Sequence, residues 1–137
     1  MFQKDYILRM IEMIGDLIAV IIGLLKKGDP DQAEKILERS YYEFLRKDAS
    51  FFQLIPKDLL TNQLLSDHNY TNGHLAVLAE LFYAEAMVNE AQNRPTNSKQ
   101  YYEKALVLLE FLEQEDKTWS AKREERMNLI KEKISLT

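Results

Sequence analysis

The sequence of 137 residues contains no cysteine, four glycines and three prolines. Without cysteine the chain cannot form disulfides, bind zinc through thiolates or use a thiol nucleophile, and this usage predicts a cytoplasmic location. Glycine and proline are too scarce to interrupt the chain often, and apolar residues recur at every third or fourth position, a spacing typical of helices. The sequence therefore predicts an all-α fold.

Long apolar runs and an excess of positive charge are also missing. The longest apolar run, residues 17–25, has nine residues, whereas a membrane-spanning helix needs about 20. A signal peptide is not expected either, because Asp5, Glu12 and Asp16 precede this run. We instead expect the run to form the end of a helix that is buried on all sides. The formal net charge of −4 opposes a general attraction to nucleic acid or anionic lipid. We expect neither nucleic-acid nor membrane partners.

The apolar content of 46% is sufficient for a single core. We therefore expect one domain over residues 1–137, built from a hairpin at 3–47, a divergent middle at 48–73, a hairpin at 74–113 and a terminal helix at 118–134. About six helices are predicted, with residues 49–55 as a turn that tucks Phe51 and Phe52 inward. These helices are placed at about 3–27, 29–47, 56–66, 74–92, 96–113 and 118–134.

The clearest boundary in the sequence lies between the first two helices. Gly28 is suited to end one helix, Asp29 to cap the next, and Pro30 to occupy its first position. Gln32 is placed to complete a capping box with Asp29. This segment predicts a tight turn between two packed helices.

A shift of 65 residues aligns the start of the second helix with that of the fifth. In each of the two helices a small residue near the start is followed by another seven positions later, with a large residue between them. This pattern resembles the second half of a tetratricopeptide repeat, and the resemblance implies antiparallel helical hairpins with a protein-binding concave surface. The aligned pairs are Gly28 with Asn93, Pro30 with Pro95, Ala33 with Ser98, Leu37 with Tyr102, Ser40 with Ala105 and Phe44 with Leu109.

The departures from that family are equally visible. Glu85 and Asn89 stand where a leucine and a tyrosine are usual, and 65 residues is not twice the family period of about 34. The stretch from Phe51 to Gly73 replaces a repeat. We therefore interpret the fold as tetratricopeptide-like.

A second resemblance covers most of the chain. The opening residues 1–12, which include the segment DYILRMIE, and the later segment LAVLAELFY at residues 75–83 are similar to an uncharacterised family of bacterial helical proteins. This resemblance implies a bacterial helical fold and carries no activity.

In tetratricopeptide repeats the first helix of each pair lines the concave surface. The corresponding candidate groove residues here are Glu80, Tyr83, Met87 and Glu90, with Ala84 and Ala91 beside them. The family's clamp for peptide carboxylates uses Lys, Asn and Arg, which Tyr83, Ala84 and Met87 replace. The resemblance thus implies an apolar or basic peptide or helix as ligand. Core packing of Tyr83 and Met87 is an open alternative.

A stripe of small residues, Gly15, Ala19 and Gly23, follows the first helix at four-residue spacing. Such a stripe allows another helix to approach closely. The expected neighbour is the second helix of the same chain, and the alternative is the first helix of a second copy. Arg9, Glu12 and Asp16 on the same helix are expected to form a solvated charge ladder.

The loop before the fourth helix contains both histidines, His68 and His74, which suggests a metal site. Neither histidine has a glutamate three residues before it, and no HExxH motif occurs. A calcium loop would need a glycine at Asn72 and a glutamate at Leu78. We expect no metal and instead predict that Thr71 or Asn72 caps the fourth helix.

Other catalytic patterns are missing too. No serine lies in a GxSxG elbow, no glycine-rich phosphate loop occurs, and Glu12 with Asp16 has no convergent partner for acid-base chemistry. The basic cluster around Arg123 and Arg126 is offset by Glu124 and Glu125 and is expected to be solvated surface. We predict no catalytic residue and no cofactor. The first hypothesis is a non-enzymatic protein-protein interaction module, followed by a structural or regulatory homodimer through helix one and, third, an enzyme of unknown class.

Overall fold

The computed structural model describes residues 2–116 and 120–136, with side chains from residue 6 onward. Within these ranges the chain forms helices and no strands, which confirms the all-α prediction. A 3-10 turn at Lys57–Leu59 leads into a short helix at Leu60–Asn62, and a π turn at Gln63–Asp67 follows it. The helices are α1 (Phe2–Lys26), α2 (Pro30–Leu45), α3 (Ala49–Gln53), α4 (Leu60–Asn62), α5 (Asn72–Ala91), α6 (Pro95–Glu115) and α7 (Ala121–Ser135).

The described part of the chain has seven helices rather than about six because residues 49–53 are helical. The prediction of a turn there was wrong, but the inward position of Phe52 is observed: it is fully buried and stacks on Tyr41 at 5.9 Å between ring centroids. Such a short helix depends on tertiary packing, since isolated helices of this length are not stable in water.

The terminal helix is described from α7 onward. Its predicted start at Thr118, together with Trp119, lies outside the described residues. In the structure the Ser120 hydroxyl caps the helix by accepting a hydrogen bond from the Arg123 backbone N–H at 3.2 Å. The described helix therefore has its own N-cap, and its first helical residue, Ala121, lies three residues after the predicted start.

The turns before α2 and α6 have the same structure, 65 residues apart. Each contains one residue in the left-handed region, Gly28 at φ 77° and Asn93 at φ 60°, and each is followed by a proline at the first helical position. The predicted cap at Asp29 is also present, since its carboxylate accepts from the Gln32 N–H at 3.2 Å. The equivalent backbone hydrogen bonds are Asp29 N to Leu24 O and Arg94 N to Asn89 O, both 2.9 Å, and Gly28 N to Leu25 O and Asn93 N to Glu90 O, both 3.1 Å.

Helix α5 forms the centre of the domain and packs against α1, α2 and α6. It runs antiparallel to α6, because the hydroxyl of Ser98 near the start of α6 donates to the Ala86 carbonyl toward the end of α5 at 2.8 Å. Most of its side chains are buried, so almost no part of its circumference faces water.

Helices α1, α5 and α7 run in the same direction along one face. Ile7 lies beside Gly73, near the starts of α1 and α5. Ion pairs join Glu80 to Arg126 and, further along both helices, Glu90 to Lys133. The C-terminal ends of all three helices therefore meet at one end of this face.

Helix α2 does not pack closely against the small-residue stripe of α1. Apart from the nearby backbone of α1 itself, a Cβ at Gly15 or Gly23 would meet no atom within 4 Å. Ala19 is exposed. The expected close approach of α2 along this stripe was therefore wrong. The expectation that the end of α1 is buried on all sides was also wrong, because α1 lies at the edge of the bundle and turns one side inward. The buried residues of α1 are Met10, Ile14, Ile18 and Ile21.

Candidate binding cleft

An open cleft lies where the ends of α1, α5 and α7 meet. Its volume is about 420 Å³. The floor is apolar, and the charged groups stand at the rim. The lining residues are Ile22, Leu25 and Lys26 of α1, Tyr83, Met87, Glu90 and Ala91 of α5, and Lys133 of α7.

Three of the four predicted groove residues line this cleft. Met87 is half-buried and Glu90 is exposed at the rim. Tyr83 is 8% exposed, so it contributes an edge to the cleft while most of its ring belongs to the core. Glu80 lies outside the cleft, one turn nearer the start of α5. The two sequence interpretations of Tyr83, groove or core, are thus both partly met.

Arg126 of α7 covers the part of this face that contains Glu80 and Tyr83. Its guanidinium donates two hydrogen bonds to the Glu80 carboxylate, both 2.9 Å, and lies 3.9 Å from the centroid of the Tyr83 ring. Bidentate pairing and stacking on an aromatic ring both favour arginine over lysine here. Glu80 is therefore engaged within the domain.

Glu90 is engaged in a similar way. Its carboxylate accepts a hydrogen bond from the Tyr102 hydroxyl at 3.0 Å and pairs with the Lys133 ammonium at 3.2 Å. Burial, and then the neighbouring Glu90 charge, raise the pKa of Tyr102, which keeps the hydroxyl protonated as a donor. Both acidic residues that were expected to attract a basic ligand thus already have cationic partners.

The apolar floor extends beyond the cleft along α1. Leu8, Ile11 and Ile22 lie on one side of the helix, at spacings of three and eleven residues. Leu8 and Ile11 are exposed, and Gly15 between them and Ile22 leaves the surface open. The cleft therefore lies at one end of a longer apolar track, which we name the α1 track (Leu8, Ile11, Gly15 and Ile22).

A polar cluster is buried elsewhere, between α2, α3, α5 and α6. Glu85 of α5 is 7% exposed and accepts a hydrogen bond from the Gln53 amide at 2.7 Å. Burial raises the pKa of Glu85 to about 7, and the charges of Glu34 and Glu38 add to this effect. The backbone carbonyl of Gln53 accepts a hydrogen bond from the Lys104 ammonium at 2.7 Å. This cluster ties the short helix α3 to the core.

The Tyr41 hydroxyl completes the buried cluster. It is fully buried beside Glu85 and Gln53 and makes no hydrogen bond of standard geometry. Burial and the Glu85 charge raise the pKa of Tyr41. The only sequence signal for this cluster was the pair Glu85 and Asn89, which depart from the apolar pattern of α5. Asn89 itself donates to the Glu85 carbonyl at 2.8 Å.

The two histidines have structural partners. Thr71 caps α5, as predicted, and the Nδ1 atom of His74 accepts from the Thr71 N–H at 3.0 Å. Burial lowers the pKa of His74. His68 packs edge-on against Phe51 with 4.8 Å between ring centroids. Among the described side chains, at residues 6–116 and 120–136, no group of three or more His, Asp and Glu is arranged to hold a metal ion.

Comparisons with known proteins give no match: none of the protein-family models, curated proteins or solved structures matches this chain. The resemblance to an uncharacterised bacterial family therefore stays a prediction. None of the described helices is long and apolar enough to cross a membrane.

Sequence reasoning missed the contributions of α1 and α7 to the cleft. Ile22 and Leu25 were assigned to a buried helix end, and Arg126 to a solvated surface. A signal for Arg126 and Lys133 did exist, since they are seven residues apart and lie on one side of α7. To predict that they lie opposite Glu80 and Glu90 of α5, one would need to know that α5 and α7 run parallel.

Proposed function

We propose that this chain is a non-enzymatic, tetratricopeptide-like interaction module that binds an apolar segment of another protein. Two features support a tetratricopeptide-like arrangement. The hairpin turns before α2 and α6 have the same hydrogen bonds, and α1, α5 and α7 follow one another in parallel along one face. In that family the equivalent face binds peptides.

The open cleft carries this proposal. Its floor offers Ile22, Leu25 and Met87 to a ligand, while the carboxylates of Glu80 and Glu90 are paired with α7. An apolar side chain entering the cleft would lose contact with water without separating either ion pair. The α1 track would add contacts for a ligand of several turns. An apolar helix or extended segment is therefore a better match than a basic peptide.

The absence of cysteine makes a direct test simple. Ala91 is exposed and lines the cleft, so Ala91→Cys provides a single thiol for an environment-sensitive fluorophore. A phage-displayed peptide library is panned on the unlabelled protein, and the selected peptides are titrated against the labelled variant. We expect amphipathic sequences with regularly spaced apolar residues, and a saturable change in emission.

The matched variants are Met87→Glu and Leu54→Glu. Met87→Glu places a charge on the cleft floor, whereas Leu54 is 81% exposed and does not line the cleft. We expect Met87→Glu to weaken binding of the selected peptides at least tenfold and Leu54→Glu to leave it unchanged, with far-UV circular dichroism showing that both remain folded. Selected peptides that bind Met87→Glu as tightly as the original protein would rule out the cleft as the binding site.

A further inference from the structure

The side of α1 that faces away from the cleft carries a second apolar surface. Tyr6, Met13 and Val20 are 46%, 52% and 51% exposed, and they follow one another at seven-residue spacing. Val20 points about 200° around the helix from Ile22 of the cleft, because each residue turns the helix by about 100°. A ligand in the cleft would therefore leave this side of α1 uncovered.

Two charged residues complete this surface. Arg9 lies between Tyr6 and Met13, and Asp16 lies between Met13 and Val20. In chain order the five residues are spaced by three, four, three and four positions, which is the spacing of a coiled-coil seam. We name this surface the outer seam of α1 (Tyr6, Arg9, Met13, Asp16 and Val20). It is separate from the small-residue stripe.

The outer seam is complementary to itself when one copy is reversed. Reversal about Met13 exchanges Tyr6 with Val20, and it brings Arg9 close to the position of Asp16. An antiparallel pair of α1 helices would therefore place Arg9 of each copy beside Asp16 of the other. A parallel pair would instead place Arg9 beside Arg9 and Asp16 beside Asp16, which is repulsive. The charges therefore favour the antiparallel pair.

We propose that a second copy of this chain packs antiparallel along the outer seam of α1, with Met13 at the twofold axis. Burial of Tyr6, Met13 and Val20 against the second copy provides the attraction, and the two Arg9–Asp16 pairs set the direction and register. Such an interface is isologous, as expected for a homodimer. It leaves the cleft open, so this dimer and the proposed ligand site do not depend on each other.

The size of the seam predicts how tight the dimer is. The seam runs from Tyr6 to Val20 within α1 and is thus about 21 Å long at about 1.5 Å per residue. A contact between two single helices lies at the small end of specific interfaces, where association is weak and reversible. The proposal therefore predicts a monomer–dimer equilibrium that shifts with protein concentration.

Sedimentation equilibrium over a wide range of concentrations tests the surface. We expect the full chain to dimerise reversibly and Met13→Lys to be monomeric. The control Leu54→Lys, which changes an exposed apolar residue outside α1, should dimerise normally. Met87→Glu in the cleft should also dimerise normally, which separates this proposal from the ligand site. A strict monomer, or a dimer that Met13→Lys does not weaken, would overturn the proposal.

Charge exchange tests the ion pairs. Arg9→Asp and Asp16→Arg each place like charges opposite one another and are expected to weaken the dimer about three- to tenfold, in line with modest surface ion pairs. The double variant Arg9→Asp with Asp16→Arg restores both pairs and should regain the original dissociation constant. Failure of the double variant to recover would contradict the antiparallel register.

Cysteine cross-linking tests the direction independently. Met13→Cys lies at the twofold axis, so under mild oxidation it should form a disulfide with Met13→Cys of the second chain. Val20→Cys alone should not, whereas a mixture of Val20→Cys and Tyr6→Cys should form a mixed dimer. Efficient linkage of Val20→Cys to itself would show a parallel pair and would overturn the proposed arrangement.

Discussion

Helices α1 and α5 are similarly apolar in sequence but differ in their surroundings. In α5, large side chains on nearly every side are buried, including Leu75, Leu81 and Phe82. In α1, burial is confined to one side, and leucine, isoleucine, methionine and valine side chains remain exposed on the others. The exposed apolar residues of α1 are therefore accessible from the surface, while the buried apolar residues of α5 hold the fold together.

This difference follows from position in the bundle. Helix α5 is enclosed by α1, α2 and α6 and joined to α7 through Arg126, whereas the main contacts of α1 are with α2 and α5 alone. Monomeric proteins rarely expose large contiguous apolar patches without a use for them. We therefore propose that the buried residues of α5 mainly stabilise the fold and that the exposed apolar residues of α1 contribute to recognition, and substitutions in the two helices can test that division.

The largest effect is expected from Phe82→Ala in α5. Phe82 is fully buried between Tyr41 and Tyr101, with ring centroids at 6.3 and 5.8 Å. Removal of a buried phenylalanine ring lowers the free energy of unfolding by about 3–5 kcal/mol. The matched change Val20→Ala in α1 is expected to alter it by less than about 0.5 kcal/mol. Urea denaturation at low protein concentration measures both, and equal losses would refute the proposed division.

Glu85→Gln tests the one carboxylate that α5 buries. Because its pKa is raised from 4.5 to about 7, the folded state holds this proton more tightly than the unfolded state does. The protein should therefore lose stability as pH rises from about 4.5 to about 7, by up to about 3 kcal/mol. Glutamine stays neutral, so Glu85→Gln is expected to be more stable than the original protein at about pH 8 by up to that amount.

The difference in unfolding free energy between Glu85→Gln and the original protein, followed from about pH 4.5 to about pH 8, isolates this group. The difference should grow as pH rises. Glu12→Gln on the exposed surface of α1 serves as the control for replacing a glutamate by glutamine. A flat difference for Glu85→Gln would mean that the carboxylate is charged and satisfied inside the folded protein.

Gly73→Ala tests the contact between the two helices. A Cβ at Gly73 would overlap the side chain of Ile7, so we expect the free energy of unfolding to fall by about 1–3 kcal/mol. In an Ile7→Ala background the same change should be neutral or stabilising, because the overlap is gone. Urea denaturation of the four variants gives the coupling energy. Equal effects in both backgrounds would show that α1 does not pack against the start of α5.

The parts of this fold that sequence predicted well depend on local chemistry. The left-handed Gly28, the cap at Asp29 and the cap at Thr71 are decided by a few neighbouring residues. Helix α3 was missed because its five residues are held by the stacking of Phe52 on Tyr41, a contact between different helices. Local patterns do not contain that information.

The candidate site divides in the same way. The family resemblance indicated the side of α5 that carries Tyr83 and Met87, because that side follows from the helix register. The neutralisation of Glu80 by Arg126 could not be predicted, since the two residues are 46 positions apart and meet only when α5 and α7 pack in parallel. Long-range charge pairing thus changed the expected ligand from apolar or basic to apolar.

The smallest effect is expected at the glycines of α1, which sharpen the comparison because they are interior helix positions with open space around them. Apart from the nearby backbone of α1 itself, a Cβ at Gly15 or Gly23 would meet no atom within 4 Å. Alanine is also favoured over glycine inside a helix by about 0.5–1 kcal/mol. Gly15→Ala and Gly23→Ala should therefore each raise the free energy of unfolding by roughly that amount, measured by urea denaturation. A loss of stability would mean that another helix does approach the small-residue stripe, which would reinstate the close packing that the sequence suggested.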